Sequence, residues 1–261
     1  MSNETFLISL GQNNDLSKVA LAELRMEADR KPLMQKYFQE LADLPGNSRK
    51  YSVNSTETVI SPLLNKKILF LGSSVTFGFG ALGESFVDYL WKRDGIEAIK
   101  DAENGTTLVD EAAFEPGDSY VARFNKELPE AKPELFVLQL STNDTKRGSQ
   151  QLGELSQDGK FDTKTITGAL EYIVSKAQAT WHCPIVIYTN PYFENDLYSK
   201  MVDRAQEIVQ KYGLELIDLY HNPDFKDQDS LYMADEIHPT RAGYREKWLP
   251  VFEEKLTKIL Q

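Results

Sequence analysis

From Lys66 onward, short apolar runs alternate with amphipathic stretches, and this alternation constrains the fold more than any other feature of the chain. Strands joined through helix-length connections are set parallel, because a parallel pair needs a crossover of about a dozen residues or more. Strands are expected at 67–72, 98–101, 135–140, 184–189 and 214–219. Helices are expected at 83–93, 118–129, 164–181 and 196–212, with a last one from Thr240. With right-handed crossovers the pattern predicts a three-layer α/β/α sandwich around a five-stranded parallel sheet.

The first strand leads to the chemistry. Ile68 to Leu71 is a continuous apolar run closed by Gly72, the pattern of a strand buried on both faces. It runs into Ser73-Ser74-Val75-Thr76, and reacting groups sit at the carboxyl ends of strands in an open α/β sheet. Ser74 falls where strand turns into helix, so N–H groups at the helix start can face an anion or a developing oxyanion. A Gly-x-Ser triplet alone is commonplace, so a reactive serine needs partners.

Three other segments carry suitable groups. In Asp235-Glu-Ile-His238-Pro239-Thr240, the spacing of three brings the Asp235 carboxylate to the His238 imidazole. The carboxylate can hold one ring nitrogen as N–H and leave the other as a base. Pro239 and Thr240, a good N-cap, set His238 at the mouth of the last helix; a surface-loop histidine is the plainer alternative. Asn143, after the third strand, offers a carboxamide to an oxyanion, or else caps a turn together with Asp144. Gly105, after the second strand, lets a backbone N–H approach a ligand closely.

Residues 1–65 read as a mostly helical extension and connector ahead of a domain spanning 66–261. Asp15 or Ser17 could cap a helix running to about Asp29. A second helix, with Pro32 in its first turn, would put Leu33, Tyr37, Leu41 and Leu44 on one face before Pro45-Gly46 ends it. A short edge strand is expected at 58–60. The polar segment 145–162 follows the third strand, either covering the site or forming a surface loop.

A formal charge of −11 and a pI near 4.9 argue against nucleic acid and anionic lipid as partners, since no basic patch overrides the acidic field. The single cysteine, Cys183, excludes an internal disulfide and is expected in the core. His182, His221 and His238 do not have the spacing of a helical zinc site. The N-terminus lacks a basic stretch and a long apolar run, and no segment approaches a membrane span, so a cytoplasmic protein is expected.

In chain order, Ser74, Gly105, Asn143 and the Asp235/His238 pair resemble the four blocks of the SGNH hydrolase superfamily, the GDSL esterases and lipases. The resemblance runs from Lys66 to the C-terminus and leaves the first 65 residues outside. It departs at Ser73, where the family has Asp, at Ser141, where it has Gly, and near Lys100, where an Asn commonly stands. It implies the flavodoxin-like SGNH hydrolase fold and acyl transfer from a small-molecule ester to water. Ser74 would be the nucleophile, His238 the base and Asp235 its orienting partner. The N–H groups of Ser74 and Gly105 and the Asn143 amide would form the oxyanion hole, with no metal or cofactor. The leaving group could be an alcohol, a thiol or a sugar hydroxyl. A lipase, an acyl-thioesterase and a non-catalytic phosphate-binding module of flavodoxin-like architecture are the alternatives. Phe77, Phe79, Tyr192, Phe193, Tyr232 and Met233 flank the motifs, and their bulk favours a short acyl group.

Overall fold

A computed structural model describes residues 2–31, 34–110, 117–127, 129–147, 150–226 and 229–261. The chain forms two compact units. A sheet unit comprises Lys66–Thr76 and Glu97–Lys226, and a second unit comprises Met1–Asn65, Phe77–Ile96 and Asp227–Gln261.

In the sheet unit the strands are β1 (Lys67–Gly72), β2 (Glu97–Ala102), β3 (Leu135–Gln139), β4 (Ile185–Tyr188) and β5 (Glu215–Ile217). They pair in the order β2-β1-β3-β4-β5, every pair parallel. β3 and β4 are buried throughout and β1 is buried beyond Lys67. Central strands covered on both faces are near-continuous apolar runs, which is why these three stand out in the sequence. β2 lies at an edge and is only half-buried, so Glu97, Lys100 and Asp101 are tolerated there and its apolar pattern is faint.

The helix Asp196–Tyr212 buries Tyr198, Met201, Val202, Ala205 and Ile208, one stripe at helical spacing. The Asn195 side chain accepts from Tyr198 N at its start, and Gly213 closes its end in the left-handed conformation. The helix Ile166–Trp181 begins in the same way, with Thr165 accepting from Gly168 N. The described part of 145–162 is fastened to these two helices. Ser156 N donates to the buried Glu171, and Arg204 donates to the Gly153 carbonyl at 2.7 Å. Cys183 is half-buried rather than in the core, and burial pushes its thiol up to about 11.

In the second unit the helix Lys18–Arg30 is capped by Ser17, whose hydroxyl accepts from Ala20 N. Asp15 instead ends a preceding helix, Asn3–Asn14, that the sequence did not announce: only Leu7, Leu10 and Gly11 of it are buried, too few to make a stripe. The helix Met34–Ala42 buries Phe38 and Leu41, while Tyr37, expected on the inner face, is exposed. Pro32 and Leu33 lie outside the described residues. No strand forms at 58–60; Val59 N donates to Arg93 O at the end of the helix Phe86–Asp94, and Ile60 is exposed. Phe86, Trp248 and Phe252 pack ring on ring, with Phe86 and Phe252 centroids 4.0 Å apart. Among the described residues no helix is long and apolar enough to cross a membrane.

Candidate active site

In the sheet unit the parallel register sets the carboxyl ends of β2, β1 and β3 side by side, with β1 in the middle. The proposed nucleophile and oxyanion residues follow these three ends. Ser74 opens the helical turn Ser74–Phe77 after β1 and is nearly buried. Gly105 follows β2, in the left-handed conformation at φ 79°. Asn143 follows β3. In a sheet of this order, ligands bind where the strand order reverses, between β1 and β3.

Side chains from β3 hold the other two ends in place. Gln139, fully buried, accepts from Ser73 N at 2.9 Å, Thr76 N at 3.3 Å and Thr76 Oγ1 at 2.7 Å, gripping the turn that carries Ser74. The Thr76 hydroxyl is also 2.6 Å from the Tyr188 hydroxyl at the end of β4. Asn143 donates from Nδ2 to Thr106 O at 2.9 Å, and the neighbouring Asp144 carboxylate accepts from Leu108 N and Val109 N at 2.8 and 3.2 Å. The loop after Gly105 is thus pinned to the end of β3. A carboxamide has two N–H donors, so the bond to Thr106 O orients the Asn143 amide and leaves it a second donor for a ligand oxygen. Burial pushes the Asp144 carboxyl up to about 6, against the pull of the backbone N–H groups it accepts from. Arg123, buried, reaches Gly72 O at 2.7 Å and Thr106 Oγ1 at 3.1 Å and pairs with Asp101, tying the ends of β1 and β2 together.

At the family's departures, Ser73 supplies its backbone N–H to Gln139 and Ser141 Oγ accepts from Asn143 N at 3.2 Å. Both replacements serve local structure and leave Ser74 and Asn143 in place. The sequence reading missed Gln139 and Arg123. Gln139 had a visible signal, a lone amide ending an otherwise apolar strand; Arg123 had none.

In the second unit, Asp235 Oδ1 accepts from Ile237 N and His238 N, both at 2.8 Å, a tight turn that the spacing of three makes possible. The same carboxylate lies against the imidazole, with Oδ1 2.9 Å and Oδ2 2.8 Å from Nδ1. A carboxylate accepts only, so Nδ1 carries the proton and Nε2 is the basic nitrogen. Burial raises the Asp235 carboxyl, but the hydrogen bond and charge of His238 and the two backbone N–H groups outweigh it and hold the group below its ordinary value. Ala234 N donates to His238 O at 2.8 Å and Thr240 N to Tyr232 O at 2.9 Å, closing the loop around the pair. Thr240 caps the helical turn that follows, as expected. The Phe79 ring packs on the imidazole with centroids 5.2 Å apart, a contact the sequence did not signal.

A model of the GDSL-like lipase/acylhydrolase family matches residues 70–246. No curated protein matches the chain. Among solved structures, a protein from Lactobacillus plantarum is similar at 20% identity, covering 76% of this chain and 97% of its own, with a TM-score of 0.56. The lipase/acylhydrolase from Enterococcus faecalis is similar at 21% identity, covering 74% and 96%, with a TM-score of 0.53. The native aryl esterase of Mycobacterium smegmatis is similar at 15% identity, covering 74% and 99%, with a TM-score of 0.54. These likenesses establish the fold class, the three-layer α/β/α type with a five-stranded parallel sheet. By the extent of the family match, the chain belongs to the GDSL-like lipase/acylhydrolase family and is a hydrolase of ester bonds.

Proposed function

We propose that this hydrolase is a serine esterase for small-molecule carboxylic esters with short acyl groups. Ser74 is the nucleophile, His238 the general base and Asp235 its orienting partner. His238 Nε2 takes the Ser74 hydroxyl proton as Oγ attacks the ester carbonyl. The Ser74 and Gly105 N–H groups and the second N–H of Asn143 hold the tetrahedral oxyanion. The proton then passes from His238 to the departing alcohol oxygen, and water repeats the sequence on the acyl-enzyme. The observation that carries this reading is the Asp235 carboxylate set on the imidazole through both oxygens, which fixes the tautomer a serine-activating base requires.

The preference for short acyl groups rests on bulk. Phe77 and Phe193 are buried, but Phe79, Tyr192, Tyr232 and Met233 keep part of their surface accessible beside the motifs. A serine-directed phosphonate should label Ser74, and Ser74→Ala should lose labelling and turnover with an unchanged melting temperature. Turnover that survives in that variant overturns the assignment. With one alcohol leaving group, kcat/KM should fall from acetyl to decanoyl esters; a steady rise moves the reading to a lipase.

A further inference from the structure

The family match begins at residue 70, so residues 1–65 lie outside it. Within their own unit, however, these residues pack against the loop that carries His238 and against the turn at Phe79–Gly80. Asn47 is fully buried and binds three backbone groups: its Nδ2 donates to Leu41 O and Gly80 O, each at 2.8 Å, and its Oδ1 accepts from Arg241 N at 2.9 Å. Two of those groups belong to or border the loop that carries His238. Gly80 runs so close to that loop that an added Cβ would meet His238 Cβ at 2.8 Å and Pro239 O at 2.7 Å. Arg241 follows His238 by three residues, and its buried side chain donates to Asn14 O at 2.8 Å and Asn47 O at 3.0 Å, with Nε 2.8 Å from Glu84 Oε2. Gly46 is pressed against the same loop, where a Cβ would meet Thr240 Oγ1 at 2.5 Å. A second route runs through rings: Tyr37 lies 6.1 Å from Phe79, and Phe79 lies 5.2 Å from His238.

We propose that residues 1–65 are a working part of the base, with Asn47 and Tyr37 as positioning residues that fix the His238 ring. The inference rests on the reading of His238 as general base. The buried Asn47 carboxamide bridges three stretches of backbone, one of them in the loop that carries His238. Such an amide sets distances, because each of its bonds is costly to break inside a protein.

Asn47→Ala leaves Leu41 O, Gly80 O and Arg241 N without this partner, so the loop can drift. A displacement of the base lowers the chemical step and not substrate binding, so kcat should fall about 10- to 100-fold with KM unchanged. Tyr37→Ala removes an exposed ring, keeps the fold and should lower kcat by less. The second readout is the far-downfield proton resonance of the His238 Nδ1–H held by Asp235, sharp in the wild type and broadened in both variants. If both variants melt lower but keep wild-type kcat per folded molecule and a sharp resonance, the role is structural and the inference is overturned. Should Asn47→Ala fail to fold, Tyr37→Ala decides by the same two measurements. Failure of the underlying reading looks different: the wild type itself neither turns over esters nor takes the phosphonate. The resonance still reports in that case whether the Asp235–His238 pair depends on residues 1–65.

Discussion

The molecule contains two Asp-x-x-His turns, one in each unit. In both, the aspartate accepts the histidine N–H, at 3.1 Å for Asp218 and His221 and 2.8 Å for Asp235 and His238, and a carboxylate oxygen lies 2.8 Å from Nδ1. Their surroundings separate them. Asp218 divides its oxygens among His221, Thr189 Oγ1 and Gln206 Nε2, and the His221 side chain is 54% exposed. Asp235, besides the two backbone N–H groups of its turn, sets both oxygens on one ring nitrogen, and the His238 side chain is 17% exposed and walled by Phe79. The turn is a local consequence of spacing and recurs wherever the spacing does. On the function proposed above, the base is the histidine whose partner places both carboxylate oxygens on the ring and whose ring is the less exposed.

The largest test of that contrast is to remove each imidazole. His238→Ala should lower kcat by about 10⁶-fold, the scale seen when a triad base is deleted, while His221→Ala leaves kcat/KM at the wild-type level. Equal losses in the two variants would break the comparison. Next come the carboxylates. Asp235→Asn keeps the turn but permits the wrong tautomer, so kcat should fall by about 10⁴-fold. Asp218→Asn should leave the rate unchanged and lower the melting temperature, because its charge-assisted bonds weaken. A rate loss in Asp218→Asn would mean that the second pair also serves the chemistry.

The smallest effect is on stability in acid. Because the folded state holds the Asp235 carboxyl below its ordinary value, its contribution is complete above the unfolded value of about 3.9 and disappears as pH falls through the folded one. The wild type should therefore melt above Asp235→Asn at neutral pH, with the two curves meeting in acid. The gap should be small, since the Asp235 side chain is about half exposed. A gap that widened on acidification would reverse the sign and remove Asp235 from its role as an ionised partner.

How much of this was legible in the sequence followed the range of the interactions. The central strands, the caps at Ser17 and Thr240 and the Asp235 turn each depend on residues a few positions apart, and their patterns were readable. Gln139 acts on the turn at Ser73–Thr76 across more than 60 residues, and Asn47 acts on Arg241 across 194. No local pattern marks such contacts, because any buried amide of the right length can make them once the fold supplies the geometry. The same reason accounts for the expected edge strand at 58–60. Its β-branched residues suit a strand, but the backbone groups that received it belong to the end of a helix.

The bonds from Arg241 to Asn14 and Asn47 also bear on the order in which the two units can be completed during synthesis. During synthesis, Asn47 leaves the ribosome 194 residues before the arginine that completes its network. At about 5–20 residues per second that interval is roughly 10–40 s. The whole sheet unit is made within it, so that unit can be assembled while the second is still waiting for its last stretch of chain. The second unit's packing around Arg241 is therefore the later of the two to close, since it joins residues 194 and 227 positions apart.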